Sequence, residues 1–438
     1  MNKELDFKKL TINTYFEMLL RFFSMIINTV MISRYEITLL AAMSCANQIF
    51  ILSSSLFTFF AVGSSIYITQ ALGAKKYNLA TKASHIALLF NLILGIILFI
   101  FINCFAEFLL TSLNTPKSIF SLSLMYLKII NYVILIDCIN IAFSSILRSY
   151  AKTKELMYAS FFMNIINIIL NALFLYYFEL SLLGVAISSV IARLFNLFFY
   201  LFVFFKIANL KLYLKLFFNS DKEILIKILK TGSFSALENI CYSFEYIIIL
   251  SFIALLGERY LSTQSIFFQL LFFVFTASLA LSVANEIIIA RMIGANKMQK
   301  AYLHTYKALK IALIISLIYS LILFLLKEKL YLLFNLNSDL INIISSLFYL
   351  LFFLEFAKAF NIVLSNALKA SAKTDFCFYL SLISICFVCI PLAYFFTQII
   401  DFKLFGIYLA FLCEECFKAL FNLLMWHSKK WQKSKLIN

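Results

Sequence analysis

Charged side chains inside long apolar runs are the residues of this sequence best placed to do chemistry. Asp137, Glu238 and Glu245 each sit in such a run with no opposite charge three or four residues away. Charge buried in hydrocarbon is costly, so residues of this kind face a cavity, a partner or an ion path. Glu238 and Glu245 are close to two helical turns apart, which puts both on one helix face, about 10 Å from each other. A face of that kind can load protons or cations at successive depths. The alternative for each is a buried pair with Arg21, Lys128 or Lys358 from another helix. Glu17 with Arg21 and Glu414 with Lys418 have i,i+4 spacing, and Glu355 with Lys358 has i,i+3 spacing, which suits local neutralisation.

Amides form the second group. Asn164, Asn167 and Asn171 share one apolar segment, and unsatisfied amides are costly in lipid, so this stripe marks either interhelical hydrogen bonds or a polar cavity. Asn28, Gln48, Gln269 and Glu355 complete the candidates for a substrate cavity, with Glu238, Glu245 and Asp137 as candidates for a coupling ion. The pairs Cys386 with Cys389 and Cys413 with Cys416 have metal-ligand spacing. They lie in apolar segments where cysteine packs as a small hydrophobe, so no metal is expected. His85, His304 and His427 are scattered near segment ends, and no nucleophile or phosphate-loop constellation points to an enzyme.

The elements that must position these residues follow from composition. At 63% hydrophobic and 13% charged, the chain is far from the roughly 25% charged content of soluble domains. Runs long enough to cross about 30 Å of hydrocarbon fall at 11–33, 38–66, 83–110, 119–146, 155–178, 182–205, 224–256, 261–290, 302–326, 340–367, 375–398 and 404–426. The sequence also repeats itself. A shift of 221 residues carries Glu17 onto Glu238, Gln48 onto Gln269, Gly73 onto Gly294, Asn140 onto Asn361 and Thr153 onto Thr374; by Gly184 and Gly406 the shift is 222. The expected fold is therefore an all-α membrane protein: twelve transmembrane helices in two parallel six-helix repeat lobes around a central cleft, related by an axis along the membrane normal. The expected division is an N-terminal lobe over 1–205, an interfacial linker over 206–223, a C-terminal lobe over 224–426 and a basic tail over 427–438.

Net charge is +16, which by itself suits nucleic acid, but its distribution suits a membrane. Lys3, Lys75, Lys76, Lys152, Lys222, Lys297, Lys373 and Lys433 fall on one set of loops and tails, whereas the alternate loops hold few basic residues. The positive-inside rule puts that basic side, with both termini, in the cytoplasm. The linker alternates Lys with Leu and Phe, as an interfacial amphipathic helix does. The first run carries Glu17 and Arg21 and reads as a spanning helix, not a targeting segment. The expected partners are a small-molecule substrate and the lipid bilayer, with no nucleic acid and a monomeric chain.

The stretch INTVMISRYEITLLAAMSCANQIF, followed by TQALGAKK, resembles the first two helices of multidrug and toxic compound extrusion (MATE) transporters. LRSYAKTKELMYASFFMNIINIILN is similar to the family's loop and fifth helix, SALEN to its seventh-helix opening, and ARMIGANK with IVLSNALKASAKTD repeats these features. The resemblance implies two six-helix lobes and export of amphipathic, often cationic compounds from the cell, across the inner (plasma) membrane, driven by entry of H+ or Na+ without a cofactor. It also implies that Asn167 and Asn171 occupy polar positions used by the family. Asn28 stands where the family commonly has an aspartate, and both GDT loops read AKT. The carboxylate that carries the coupling ion is therefore expected in the second lobe, with Asp137 as the first lobe's remaining candidate. A lipid-linked oligosaccharide flippase of the same superfamily is the alternative function.

Overall fold

Leu, Ile and Phe dominate the long apolar runs, and glycine and proline, which interrupt helices, number eight and two. The computed structural model describes residues 5–113, 115–218, 221–333 and 338–437, and these are helical almost throughout. Lys3, residues 219 and 220 of the linker and the last residue of the tail lie outside the described residues. Among the described residues twelve long helices run as α1 Phe7–Tyr35, α2 Ile37–Gly73, α3 Tyr77–Ser112, α4 Lys117–Ser149, α5 Thr153–Tyr177, α6 Ser181–Ile207, α7 Lys222–Leu256, α8 Glu258–Gly294, α9 Met298–Leu325, α10 Ser338–Ala370, α11 Thr374–Ile399 and α12 Lys403–His427. Eleven are long and apolar enough to cross a membrane. The twelfth, α12, is long enough but carries Glu414, Glu415 and Lys418 in its middle. Several helices outrun their apolar cores, since intrahelical hydrogen bonding continues past the hydrocarbon boundary.

The repeat is visible in the backbone itself. Residues at helix boundaries take left-handed conformations, sparsely populated outside glycine, in matched pairs: Lys75 with Asn296, Ala151 with Ala372, Glu179 with Asp401, and Ser181 with Lys403. The C-terminal ends of α5 and α11 both widen into π turns, Leu173–Tyr177 and Phe395–Ile399. Among the described residues two π turns have no counterpart in the other repeat, Val203–Ile207 at the end of α6 and one inside α11. The one inside α11 covers Ile385–Cys389, whereas the equivalent stretch of α5 is regular α-helix. Ser160 and Ser381 are still 221 residues apart and the terminal π turns are 222 apart, so the single inserted residue falls where this π turn lies. A π turn is what one extra residue makes of an α-helix. Pro391 follows directly, and its ring would clash with the carbonyl one turn back in an unwidened helix.

Two compact units emerge, Phe16–Ser233 and Met1–Tyr15 with Phe234–Asn438. The first is built on Ile32, Leu39, Phe57, Leu127 and Ile134. In it the linker docks on α3, where His85 Nε2 accepts from the Tyr213 N–H at 2.8 Å and Lys82 pairs with Asp221 at 3.2 Å. The linker's helical part is Leu214–Phe218. In the same unit Gly63 of α2 and Gly232 of α7 face each other's helix so closely that a Cβ at either would strike a backbone carbonyl, of Ile228 or Phe59. The second unit is built on Phe267, Phe348, Leu351 and Tyr408. The start of α1 belongs to it, through Tyr15 with Tyr319 (3.0 Å) and Phe7 stacked edge-on against His304. Beyond α12 the tail folds back, with Trp431 stacked on Trp426 at 4.1 Å and donating to the Trp426 carbonyl.

Candidate functional site

In the first unit the amides come together. Asn28 of α1 donates to Asn167 Oδ1 at 2.7 Å, Asn171 donates back to Asn28 Oδ1 at 2.9 Å, and Ser188 of α6 donates to Asn171. This is an uncharged ring joining α1, α5 and α6. Asn164, one turn earlier on α5, is buried and its Nδ2 has no hydrogen-bond partner among the described residues. The charged groups lie apart from this ring. Glu17, 2% exposed, holds Arg148 of α4 with both carboxylate oxygens (3.0 and 3.1 Å) and Arg21 at 2.9 Å. Asp137 pairs with Arg193 of α6 at 3.5 Å and accepts from Asn140 at 3.2 Å.

In the second unit α7 is lined by carboxylates. Glu238 pairs with Lys369 of α10 at 2.9 Å, a partner absent from the three that the sequence suggests. Ser381 of α11 lies at 3.5 Å from the same carboxylate and at 3.2 Å from the Tyr242 hydroxyl. Two turns along α7, Glu245 is 5% exposed and faces Cys389 of α11 and Glu414 of α12, with one ligand-type atom of each within 4.8 Å of the others. Lys418 bonds Glu414 at 2.9 Å and Glu415 at 3.2 Å, with Ser384 donating to Glu414 at 3.2 Å. Asn361 donates to Glu415 at 2.7 Å. Among the described residues no basic side chain lies within ion-pair distance of Glu245. Glu355 is 1% exposed and meets its i+3 neighbour Lys358 at 3.5 Å. Gln48 and Gln269, although repeated in the sequence, are exposed on α2 and α8.

The family model MatE matches the chain twice, over residues 14–173 and 235–395, each time taking in the first five helices of a repeat. The chain belongs to the MATE family. It is similar to the uncharacterized transporter YisQ of Bacillus subtilis (strain 168), 29% identical over 408 residues, 92% of this chain and 90% of that one. It is 21% identical over 424 residues to the probable multidrug resistance protein NorM of Thermotoga maritima, 94% of this chain and 89% of that one. In fold it matches an outward-facing multidrug resistance MATE transporter of the MOP superfamily with a TM-score of 0.90 at 19% identity, covering 97% of this chain and 95% of that one. The protein is thus a multi-pass membrane transporter of the MATE type.

As a MATE transporter it distributes charge unequally between its repeats. A shift of 221 carries Arg148 onto Lys369, so the Glu17–Arg148 and Glu238–Lys369 pairs are one pair made twice. A shift of 221 carries Asp137 onto Lys358 and one of 222 carries Arg193 onto Glu415, so the two positions carry opposite charges in the second half, where Lys358 meets Glu355 and Glu415 meets Lys418 instead. Glu245 corresponds to Ser24 and has no charged counterpart. Sequence reasoning misses Lys369 and Ser384, and it names Cys389 only in its pair with Cys386. Lys369 was available by shifting Arg148, while Cys389 needs the π turn of α11, which no local pattern announces.

Proposed function

We propose that the protein is a cation-coupled antiporter that exports amphipathic, cationic drugs or toxic compounds, taking H+ or Na+ inward at Glu245. One observation carries the reading: Glu245 is buried, has no ion-pair partner among the described residues, and lies beside a second carboxylate, Glu414, that is already held by Lys418. Two carboxylates sharing one site out of water do not both stay ionised without a cation between them. A proton, a sodium ion or a cationic drug can serve, and competition among them for one group is the simplest form of exchange. Inward movement of one charge at about 100 mV contributes about 2.3 kcal/mol to the cycle.

In this reading the repeats over 1–205 and 224–426 rock against each other, alternately opening the substrate path to each side, with 206–223 as tether and 427–438 as a basic tail. The uncharged ring of Asn28, Asn167 and Asn171 contributes polar contacts to substrate and does not titrate. The basic loops face the cytoplasm, as do both termini. The names of the related NorM and MepA proteins, a probable multidrug resistance protein and a multidrug export protein, support drugs as the substrate class.

The deciding experiment is reconstitution in liposomes with H+ and Na+ gradients imposed separately. Export of a fluorescent organic cation should follow one of the two gradients and vanish in Glu245→Gln. Export that needs neither gradient rejects the antiport reading.

A further inference from the structure

Glu245 of α7, Cys389 of α11 and Glu414 of α12 are all buried and present two carboxylate oxygens and a sulfur within 4.8 Å of one another. Three helices thus bring metal-ligating chemistry to one point. The sequence reading weighs the paired cysteines and expects no metal; of these, Cys386 and Cys416 are exposed and Cys413 is half-buried. The set that converges is mixed. A thiolate with two carboxylates favours borderline and soft divalent ions over Na+, Mg2+ or Ca2+, which take oxygen ligands.

Two observations lift this set above a chance cluster of acids. Glu245 is a carboxylate 5% exposed, directed at the other two ligands and without an ion-pair partner among the described residues. The backbone of α11 is also altered at this point: an unmatched π turn ends on Cys389, and such turns are frequent at functional sites. The equivalents of the three ligands in the first repeat are Ser24, Asn167 and Ala192, which offer neither carboxylate nor thiol. The set belongs to the second repeat alone.

Charge balance favours occupancy by exchange. Lys418, shared between Glu414 and Glu415, supplies one positive charge beside the set, and metal ligands bind in their deprotonated forms, so binding releases protons. A divalent cation that binds a carboxylate and a thiolate there displaces the protons those groups hold to water, which offsets part of the incoming charge. Burial of uncompensated charge is the main obstacle to an ion at this depth, and this exchange lowers it. No electron moves, as suits redox-inert Zn2+ or Cd2+.

We propose that Glu245, Cys389 and Glu414 form a site for a thiophilic divalent cation, Zn2+ or Cd2+. The site shares Glu245 with the coupling reading but does not depend on it. The test titrates the purified full chain with Cd2+, following the ultraviolet charge-transfer band of a cadmium–thiolate bond together with proton release. One Cd2+ per chain with release of protons is expected, with Zn2+ erasing the band and Na+ or Ca2+ leaving it. Cys389→Ser should abolish the band and Cys386→Ser should keep it. Glu245→Gln and Glu414→Gln should each weaken binding by at least about tenfold, the lower end of the loss seen even for outer-shell partners of a metal. A parent protein without the band overturns the proposal, whatever the variants do, and so does a band that survives in Cys389→Ser. Because binding is read without transport, a failed efflux assay leaves this result standing, and the reverse also holds.

Discussion

Glu238 reaches Lys369 across α7 and α10 at 2.9 Å, and the same two positions one repeat earlier hold Glu17 and Arg148 at 3.0 Å. A contact kept in both halves after duplication, with the cation changed from Arg to Lys, ties the first helix of each repeat to the fourth. That role separates Glu238 from Glu245, which the sequence alone treats as equivalent members of one helix face.

Glu238→Gln should therefore act mainly on stability. Removing one partner of a buried ion pair costs about 3–5 kcal/mol, because the other charge is left uncompensated. Thermal unfolding in detergent should shift down, and the double variant Glu238→Gln with Lys369→Met should recover most of the loss. Full stability with dead transport would instead make Glu238 a coupling group.

Glu245→Gln should do the opposite, since the amide keeps the shape of the side chain and loses its ability to exchange a cation. Gradient-driven efflux from energised vesicles should fall to background at parental expression and thermal stability. Asp137→Asn, which leaves Arg193 without its anion, should give an intermediate rate. A dead Asp137→Asn beside a fully active Glu245→Gln would move the coupling site to the first repeat.

The helices, their number and the duplication could be read directly, because each depends on runs and spacings along the chain. Lys369 was hidden by position: it ends an apolar run and reads as a loop lysine, yet it is 18% exposed as a side chain. Gln48 and Gln269 show the converse, being repeated in the sequence and exposed in the fold. The Glu245, Cys389 and Glu414 cluster depends on three helices and on a π turn that changes the direction in which α11 presents its side chains. That rotation has no period in the sequence to reveal it.

The amide ring should tolerate change. Asn28→Ala removes one donor and one acceptor, and interhelical hydrogen bonds in membranes are worth about 0.6 kcal/mol on average, up to about 1.7 kcal/mol. Efflux should slow by a few-fold and keep its dependence on the gradient. Complete loss of coupling in Asn28→Ala would show that the ring takes part in ion exchange despite its neutrality.

Acid should loosen the linker. His85 accepts from Tyr213 through Nε2 while Nδ1 faces the Thr81 carbonyl at 2.8 Å, so docking requires the neutral ring with its proton on Nδ1, and protonation closes the acceptor. Asp221 acts in the same direction: burial pushes its carboxyl up, but the hydrogen bond from Lys82, with that lysine's charge, outweighs this and holds it below the usual carboxylate value. A lowered folded-state value means that its contribution is present above the ordinary carboxylate range, about 3.9, and is lost as pH falls through the lowered one. Hydrogen exchange at the Tyr213 amide, corrected for intrinsic rate, should accelerate on acidification and should be fast at all pH values in His85→Phe. An amide equally protected throughout the acid range would refute the anchor.

Trp426 and Trp431, stacked on each other past the middle of α12, are the only two tryptophans in the chain. All of the protein's indole fluorescence therefore originates at a single spot. At 1.5 Å per residue that spot lies about 18 Å along the same helix from Glu414. An emission change on adding an ion, a drug or a metal would report movement at the end of α12 without any label, while events confined to the first repeat would stay optically silent.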